Sequence, residues 1–552
     1  MSTESVWYLL PELLLIAVGT LIYIGGAVLP ERRCTWTGVA IAGLLAAGLA
    51  LCRQYDALYW PVGAKTPELT ASIGGPLVAD LLGQYIRWLT LLVGLLFVML
   101  SARSGKGVPA AEFLGTLVMA TAGVMLVSSA RDLVLMFMGL ELLSIPTYVL
   151  LYLGRNDAAA QESTVKYFYL SILSSALLLY GFSFLYGLCG STDLTSLRTV
   201  MALGGEQLAD SRLFARVALV LVFAGLGFRI TAVPFHFYAP DVYQGTTNGN
   251  AGLLAVFPKI AGFVALVRIV AIAMPGMEPF GWRVALILAV LTMTVGNLLA
   301  LWQDNIRRLM AYSSIAHGGY MLIGLAAAFG ATSAGGQISV DGIAALLFYL
   351  AVYVIATTGV FAALVYLGQP DRQVDGVDEL AGLGRTHPWA GLAMAVFMFS
   401  LAGIPPLAGF WGKLTLFASA LGVDGSKMGA SPLRPWFISL AVIGALNAAV
   451  AAAYYLRVVG LVYFRQPAAQ LKAQGGRGAY AAMLISAVLV VLLGCYPAPL
   501  VDGSNAASES ARIDAAHPAA KGVAAADRRV GTAHQLGALN MAGNSVPAVS
   551  AP

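Results

Sequence analysis

The sequence predicts an all-α polytopic membrane protein of about fourteen transmembrane helices, and three observations carry that expectation. Of 552 residues, 59% are hydrophobic and 11% charged, where an ordinary soluble domain has about 25% charged. A mean hydropathy of +0.80 over such a length leaves the apolar residues no solvent to face except lipid. Those residues also fall into runs of about 20, the number that crosses a hydrocarbon core of about 30 Å at 1.5 Å per residue. A soluble enzyme and a disordered chain are both excluded.

The runs are 9–29, 36–52, 80–102, 112–129, 133–153, 165–189, 217–240, 250–274, 282–301, 309–329, 342–367, 389–421, 436–464 and 479–496. No basic region precedes the first run, and further helices follow at once, so it reads as a retained span and not a signal peptide. Arg53, Arg131, Arg155, Arg307 and Arg308 fall at run ends and read as interface anchors. Asp80, Arg87, Arg268 and Arg457 fall within or near spans and are expected to snorkel or pair. From 501 the chain turns to Ala, Gly, Ser and Asn with scattered charges; residues 501–552 are expected to be a polar, mobile tail. An even helix count puts both termini on one side. Lys and Arg are slightly more numerous in the connections after odd-numbered helices, which places the termini outside, on the periplasmic face of a bacterial inner membrane; an organelle-encoded chain is the other option.

Helices seven and twelve are interrupted. The first reads LGFRITAVPFHFYAPDVYQG, with Pro234 and Pro240, and the second SLAGIPPLAGFWGKL, with Gly403, Pro405, Pro406 and Gly409. Each proline removes an amide donor and clashes with the preceding turn, and broken backbone is tolerated in a membrane only where it is buried or lines a polar cavity. The breaks stand five helices apart. Residues 111–275 (helices four to eight) and 276–466 (nine to thirteen) are therefore expected to be two five-helix repeats, the second inverted. They are preceded by helices one to three in 1–110 and followed by helix fourteen in 467–500. Matched interruptions in two such halves point to a transport site. Simple packing kinks are the plainer account of the same prolines.

Several ionisable residues lie where a charge costs roughly 2.5–3.5 kcal/mol even on the lenient insertion scale. Glu141 lies nine residues past Asp132, about 14 Å deep. Lys259, nine residues past Asn250, and His317, ten past Arg307, are similarly deep. Lys413 ends the broken part of helix twelve, and Arg229 precedes the break in helix seven. Glu141 with Arg229 fits a buried packing pair, and His317 alone fits a structural hydrogen bond. One central glutamate cannot neutralise the lysines as well. Buried lysines without a counter-ion make sense if they exchange protons, and a histidine does so readily, with Tyr312 and Ser313 beside His317 to hold waters. Lys166 follows Glu162 by one turn, which a surface pair explains, yet its run continues as a membrane helix expected to carry it inward. His236, beside Pro234, is expected to cap freed carbonyls or gate water.

No other chemistry is legible. Cys34, Cys52, Cys189 and Cys495 are far apart with no C-x-x-C pair, so thiolates can build neither a zinc site nor an iron–sulfur cluster. There is no dinucleotide fingerprint, P-loop or HExxH. A net charge of +5 without a basic stripe gives no footprint for nucleic acid.

With these residues in place, the sequence resembles the antiporter-like membrane subunits of respiratory complex I (NADH-quinone oxidoreductase), and among them the subunit N type, counterpart of mitochondrial subunit 2. The resemblance runs from helix one to helix fourteen. VPFHFYAPDVYQG is its most discriminating stretch, because the sister subunits L and M and the multisubunit cation/proton antiporters usually carry a PFHTWLP-like version; MAYSSIAHGGY and SLAGIPPLAGFWGKL are shared by the wider family. The resemblance assigns Glu141 as the helix-five glutamate, Lys166 as the helix-six lysine, Lys259 as the central lysine of helix eight and Lys413 as the helix-twelve lysine. Arg229 departs from it, standing where the family carries a lysine; arginine keeps its charge, so it is expected to tune Glu141 and its neighbours without relaying protons. TTNGN after DVYQG is a second departure. The resemblance further implies proton translocation coupled to quinone reduction, with NADH, FMN, iron–sulfur clusters and quinone held by partner subunits and no cofactor or metal in this chain. Neighbouring antiporter-like and small membrane subunits and the lipid bilayer are the implied partners. A subunit of a multisubunit cation/proton antiporter, a solute transporter and a purely structural scaffold are the competing readings.

Overall fold

The computed structural model describes residues 3–512 except 30–32, 60–69, 72–74, 103–108, 156, 204–208, 335–339, 370–371, 424–431, 468–470 and 472. The predicted all-α class is observed. A two-residue antiparallel ladder, Thr70–Ala71 with Ala79–Asp80, leads into the third helix. In chain order the membrane segments are α1 (Leu10–Val28), α2 (Arg33–Tyr59), α3 (Leu81–Ser101), α4 (Ala110–Ser128), α5 (Leu133–Gly154) and α6 (Ala158–Cys189). Then come α7 in two pieces (Ala209–Arg229 and Ala239–Gly245), α8 (Asn248–Leu266), α9 (Glu278–Ala300), α10 (Ile306–Ala334) and α11 (Gly342–Leu367). The last are α12, again in two pieces (Pro388–Ala402 and Ala408–Leu421), α13 (Arg434–Phe464) and α14 (Gly476–Cys495). Among the described residues twelve helices are long and apolar enough to span a membrane; α7 and α12 are the segments cut in two.

The helix starts follow from side-chain caps. Asp80, Asp132, Asp157, Thr247 and Asp341 each accept a hydrogen bond from a backbone amide of the first turn of α3, α5, α6, α8 and α11, meeting donors that the helix itself cannot satisfy. A helix apolar on every side belongs in an interior, and α8, α10 and α11 are buried on all faces along nearly their whole length. The surrounding helices turn large apolar side chains outward, among them Leu21, Leu49, Ile145, Leu173, Ile287 and Leu446. Close approach of α9 to α10 depends on glycine: a Cβ at Gly319 would lie 2.4 Å from Met293 N and one at Gly296 2.7 Å from Ala316 N. Small residues at such crossings are how membrane helices gain packing contact.

The off-axis charges are paired. Arg87 holds Glu12 through both carboxylate oxygens at 2.7 and 2.8 Å, Arg268 holds Asp80 at 2.8 Å, and Arg457 meets Asp304 at 2.6 Å. Arg307 is buried more deeply than an interface anchor, pairing with Asp375 at 2.7 Å.

Two expectations need correction. α6 begins at Ala158 and not at 165; its 32 residues make it about 48 Å long, and Lys166 lies in its N-terminal third. The tail does not begin at 501: residues 498–512 are helical. Ser510 Oγ accepts from Leu82 N at 3.3 Å, Arg512 pairs with Asp341 at 2.8 Å, and Ser508 Oγ donates to Asp341. Small residues such as Ala507 and Ala511 are buried there, which a composition argument took for a chain with nothing to pack. Residues 513–552 lie outside the described residues.

Candidate functional site

Each broken segment leaves the carbonyls of its first half without the next turn to accept from. In α7 regular helix ends at Arg229, and Thr231 takes a left-handed φ of 58°. Lys259 reaches that end from α8: its Nζ donates to Ile230 O at 3.1 Å, to Thr231 Oγ1 at 2.9 Å and to Ser314 O of α10 at 2.6 Å. In α12 the first half ends at Ala402, and Gly403 takes a φ of 89°. Here Lys413, from the second half of the same segment, donates to Ala402 O at 2.8 Å. Both lysines are buried, and both cap a helix C-terminus, where the macrodipole favours a cation. Among the described residues neither has a carboxylate partner.

Arg229 and Glu141 form a separate cluster beside the first break. Arg229 Nη2 lies 3.0 Å from Glu141 Oε1, and Nη1 donates to Ser144 Oγ at 2.5 Å and Leu140 O at 3.3 Å. Ser175 Oγ of α6 donates to Glu141 Oε1 at 2.5 Å. Arg229 is 3% exposed and Glu141 24%, so the carboxylate sits at the rim of the bundle and the guanidinium inside it. Arg229 and the acceptors Ile230 and Thr231 are consecutive, which couples this pair to Lys259 through one piece of backbone.

His317 lies between the two lysines. Its Nδ1 is 2.6 Å from Tyr349 OH and its Nε2 2.8 Å from Tyr455 OH. Tyr353 OH donates to Oγ of Ser314 at 2.8 Å, the residue whose carbonyl accepts from Lys259, and the Tyr353 ring is 5.0 Å from the imidazole. On the other side the Tyr320 ring lies 6.0 Å from that of His317 and 5.0 Å from Lys413 Nζ. Lys259, His317 and Lys413 are thus joined by tyrosines of α10, α11 and α13. Tyr312, expected beside the histidine, is half-buried and not among its partners; Ser313 bonds to Tyr455 OH instead. Tyr349 and Tyr353 were legible as a pair one turn apart, well inside a span and away from the interfacial belt where membrane tyrosines gather. Tyr455, on a distant helix, carried no such signal.

Lys166 does not join the axis. Its side chain is 41% exposed and pairs with Glu162 at 2.6 Å and Asp241 at 3.2 Å, and Arg308 holds the other oxygen of Asp241 at 2.7 Å. Within this chain it faces outward from the bundle, one turn after Glu162 as the surface-pair reading expects. Pro240 lies in the first turn of the second piece of α7, where the missing amide costs nothing. Pro234 is exposed within the break, and Pro405 and Pro406 are exposed in the second break. His236 is half-buried within reach of the Pro234 carbonyl, while its Nδ1 has no partner of full hydrogen-bond geometry. Among the described residues no three His, Cys, Asp or Glu are grouped to hold a metal.

Two broken helices, each ended by a buried lysine and connected by a buried histidine and tyrosines, define an antiporter-like membrane subunit. The family described as NADH:quinone oxidoreductase/Mrp antiporter, TM, matches residues 130–452, which hold both breaks. The chain is 38% identical over 512 residues to NADH-quinone oxidoreductase subunit N of Rhodospirillum rubrum, covering 91% of this chain and 96% of that one. To subunit N of Paramagnetospirillum magneticum it is 35% identical, with the same coverage. A chain of respiratory complex I from Thermus thermophilus with bound aureothin superposes with a TM-score of 0.71 at 32% identity, over 89% of this chain and 98% of that one. A chain of the Mrp complex from a Dietzia species gives 0.76 at 20% identity, over 93% and 98%, a likeness of fold alone. The chain belongs to the NADH-quinone oxidoreductase subunit N family.

Proposed function

We propose that this chain is a proton-translocating membrane-arm subunit of NADH:quinone oxidoreductase, moving protons along Lys259, His317 and Lys413 under the control of the Glu141–Arg229 pair. The observation that carries the reading is the pair of buried lysines bonded only to neutral acceptors at the ends of two broken helices. A buried amine with no counter-ion is the side chain that can lose and regain a proton at modest cost, and the intervening imidazole and hydroxyls can pass one on. Residues 111–275 and 276–466 act as two inverted five-helix units, each supplying one break and one lysine. Driving a charge against 100 mV costs about 2.3 kcal/mol, so the lysines must alternate the side they face. Movement of Glu141 relative to Arg229 changes the field at Ile230, Thr231 and Lys259 and supplies that alternation. Arg229 keeps its charge throughout and relays nothing. Lys166 holds Asp241 at the access side. Partner subunits supply NADH oxidation, FMN, iron–sulfur clusters and quinone reduction; the chain lies among the other membrane-arm subunits in a bacterial inner membrane, with its termini on the periplasmic side.

The test is Lys259→Met and Lys413→Met in the assembled enzyme, with NADH oxidation and proton uptake measured on the same vesicles. Both variants are expected to lower the protons moved per NADH while the complex remains present, and a wild-type ratio in both overturns the reading. Cation transport that needs sodium and no NADH would move the assignment to a cation/proton antiporter.

A further inference from the structure

The tyrosine between His317 and Lys413 is held by a residue outside the lysine and histidine axis. Asn297 of α9 is fully buried, and its Nδ2 donates to Tyr320 OH at 3.1 Å and to Asn447 Oδ1 at 3.2 Å. Its Oδ1 accepts from Tyr454 OH at 3.1 Å. Asn447 of α13 is anchored in turn, its Nδ2 donating to Ile443 O at 3.0 Å and Thr294 Oγ1 at 3.2 Å. An amide nitrogen only donates and an amide oxygen only accepts. Tyr320 oxygen therefore receives a proton from α9, and its own hydroxyl hydrogen points elsewhere. The hydroxyl hydrogen of Tyr454 is already committed to Asn297. Groups facing Tyr320 are His317 on its own helix, Tyr349 of α11, Lys413 of α12 and the Tyr454–Tyr455 pair of α13.

We propose that Asn297 is a positioning residue for proton transfer: by donating to Tyr320 it keeps that hydroxyl's own hydrogen off α9 and so restricts the direction in which the tyrosine, whose ring lies against His317 and Lys413, can hand on a proton. No bond changes at Asn297 itself. Tyr320 gives its hydroxyl hydrogen to a water or the neighbouring base on one side and regains one from the other. The amide N–H prevents the hydroxyl from turning back to α9. The proposal rests on the proton-translocation reading above.

Asn297→Leu, Tyr320→Phe, the double variant and Asn297→Asp, with Lys413→Met as reference, are placed in the complete complex. Protons moved per NADH are followed across pH, and the amount of assembled enzyme is measured separately. Asn297→Leu and Tyr320→Phe are each expected to show most of the loss seen in Lys413→Met, and the double variant no more than either single, because one acts through the other. An aspartate accepts where the asparagine donates, so Asn297→Asp turns the hydroxyl toward α9 and displaces the pH profile. A residue that merely packs would change the amount of complex and leave ratio and profile as in the wild type. That result, or losses that add in the double variant, overturns the proposal while Lys413→Met remains impaired. If Lys413→Met also pumps normally, the translocation reading fails first.

Discussion

Arg229 uses both terminal nitrogens of its guanidinium, while its Nε is buried without a hydrogen-bond partner. Its planar fork meets Glu141, Ser144 and Leu140 O together, where an ammonium would act as a point charge. Arg229→Met is expected to lower the yield and thermal stability of the enzyme more than Arg229→Lys. The cost of the methionine should be below the roughly 3–5 kcal/mol of a fully buried broken pair, because Glu141 is 24% exposed and water can reach it. Arg229→Lys should lose roughly 1.5–3 kcal/mol for each charge-assisted hydrogen bond given up and keep wild-type proton transfer, since Glu141 still faces a cation. Thermal inactivation of solubilised enzyme and the protons moved per NADH check the two halves of that statement. A pumping defect in Arg229→Lys with stability intact would make the guanidinium itself part of the control.

At the scale of elements, the two breaks are held by different devices. The second piece of α7 is seven residues long, too short to hold itself as a helix, and Asp241 ties it to α6 through Lys166 and to α10 through Arg308. These pairs are partly exposed, so each is worth about 0–1 kcal/mol and weakens as salt rises. Lys166→Ala should therefore change stability little and leave much more proton transfer than Lys259→Met, with a salt dependence smaller than the parent's. An equal loss in the two variants would return Lys166 to the transfer path. In α12 the device is steric: Gly403 sits at φ 89°, and a Cβ there would lie 2.9 Å from Lys413 Cδ. Gly403→Ala is expected to cost about 1–2 kcal/mol for the left-handed backbone alone and to push Lys413 Nζ off Ala402 O. It should resemble Lys413→Met in pumping while assembling; a fully active Gly403→Ala would show that the capping contact is dispensable.

For the molecule as a whole, the sequence made legible whatever depends on local composition. The spans, the two proline breaks, and the placement of Lys259, His317, Lys413 and Arg229 in buried parts of their segments all follow from spacing along single helices. What depends on contact between distant helices was not legible: Tyr455 on the imidazole, Ser175 on Glu141, and the ends of α7 and α12 as acceptors for lysines. The same cause misplaced the tail, for 498–512 looks polar until Asp341 and Leu82 N appear as its partners. That segment ties the starts of α3 and α11, and α11 carries Tyr349 and Tyr353. Asp341 does three jobs, accepting from Ile343 N at 3.2 Å as the cap of α11, pairing with Arg512 at 2.8 Å and accepting from Ser508 Oγ. Removing a cap costs about 1 kcal/mol, and a partly exposed ion pair adds up to about 1. With the Ser508 Oγ hydrogen bond to the carboxylate adding roughly 1.5–3 kcal/mol, Asp341→Ala should destabilise the enzyme by about 2–5 kcal/mol in total, Arg512→Ala by no more than the ion-pair share, and the double variant no further than Asp341→Ala, because both remove the same pair. Thermal inactivation of the three variants separates these terms. Equal losses from Asp341→Ala and Arg512→Ala would place the whole effect in the terminal tie, and an additive double variant would mean that the segment holds α11 through contacts other than this one.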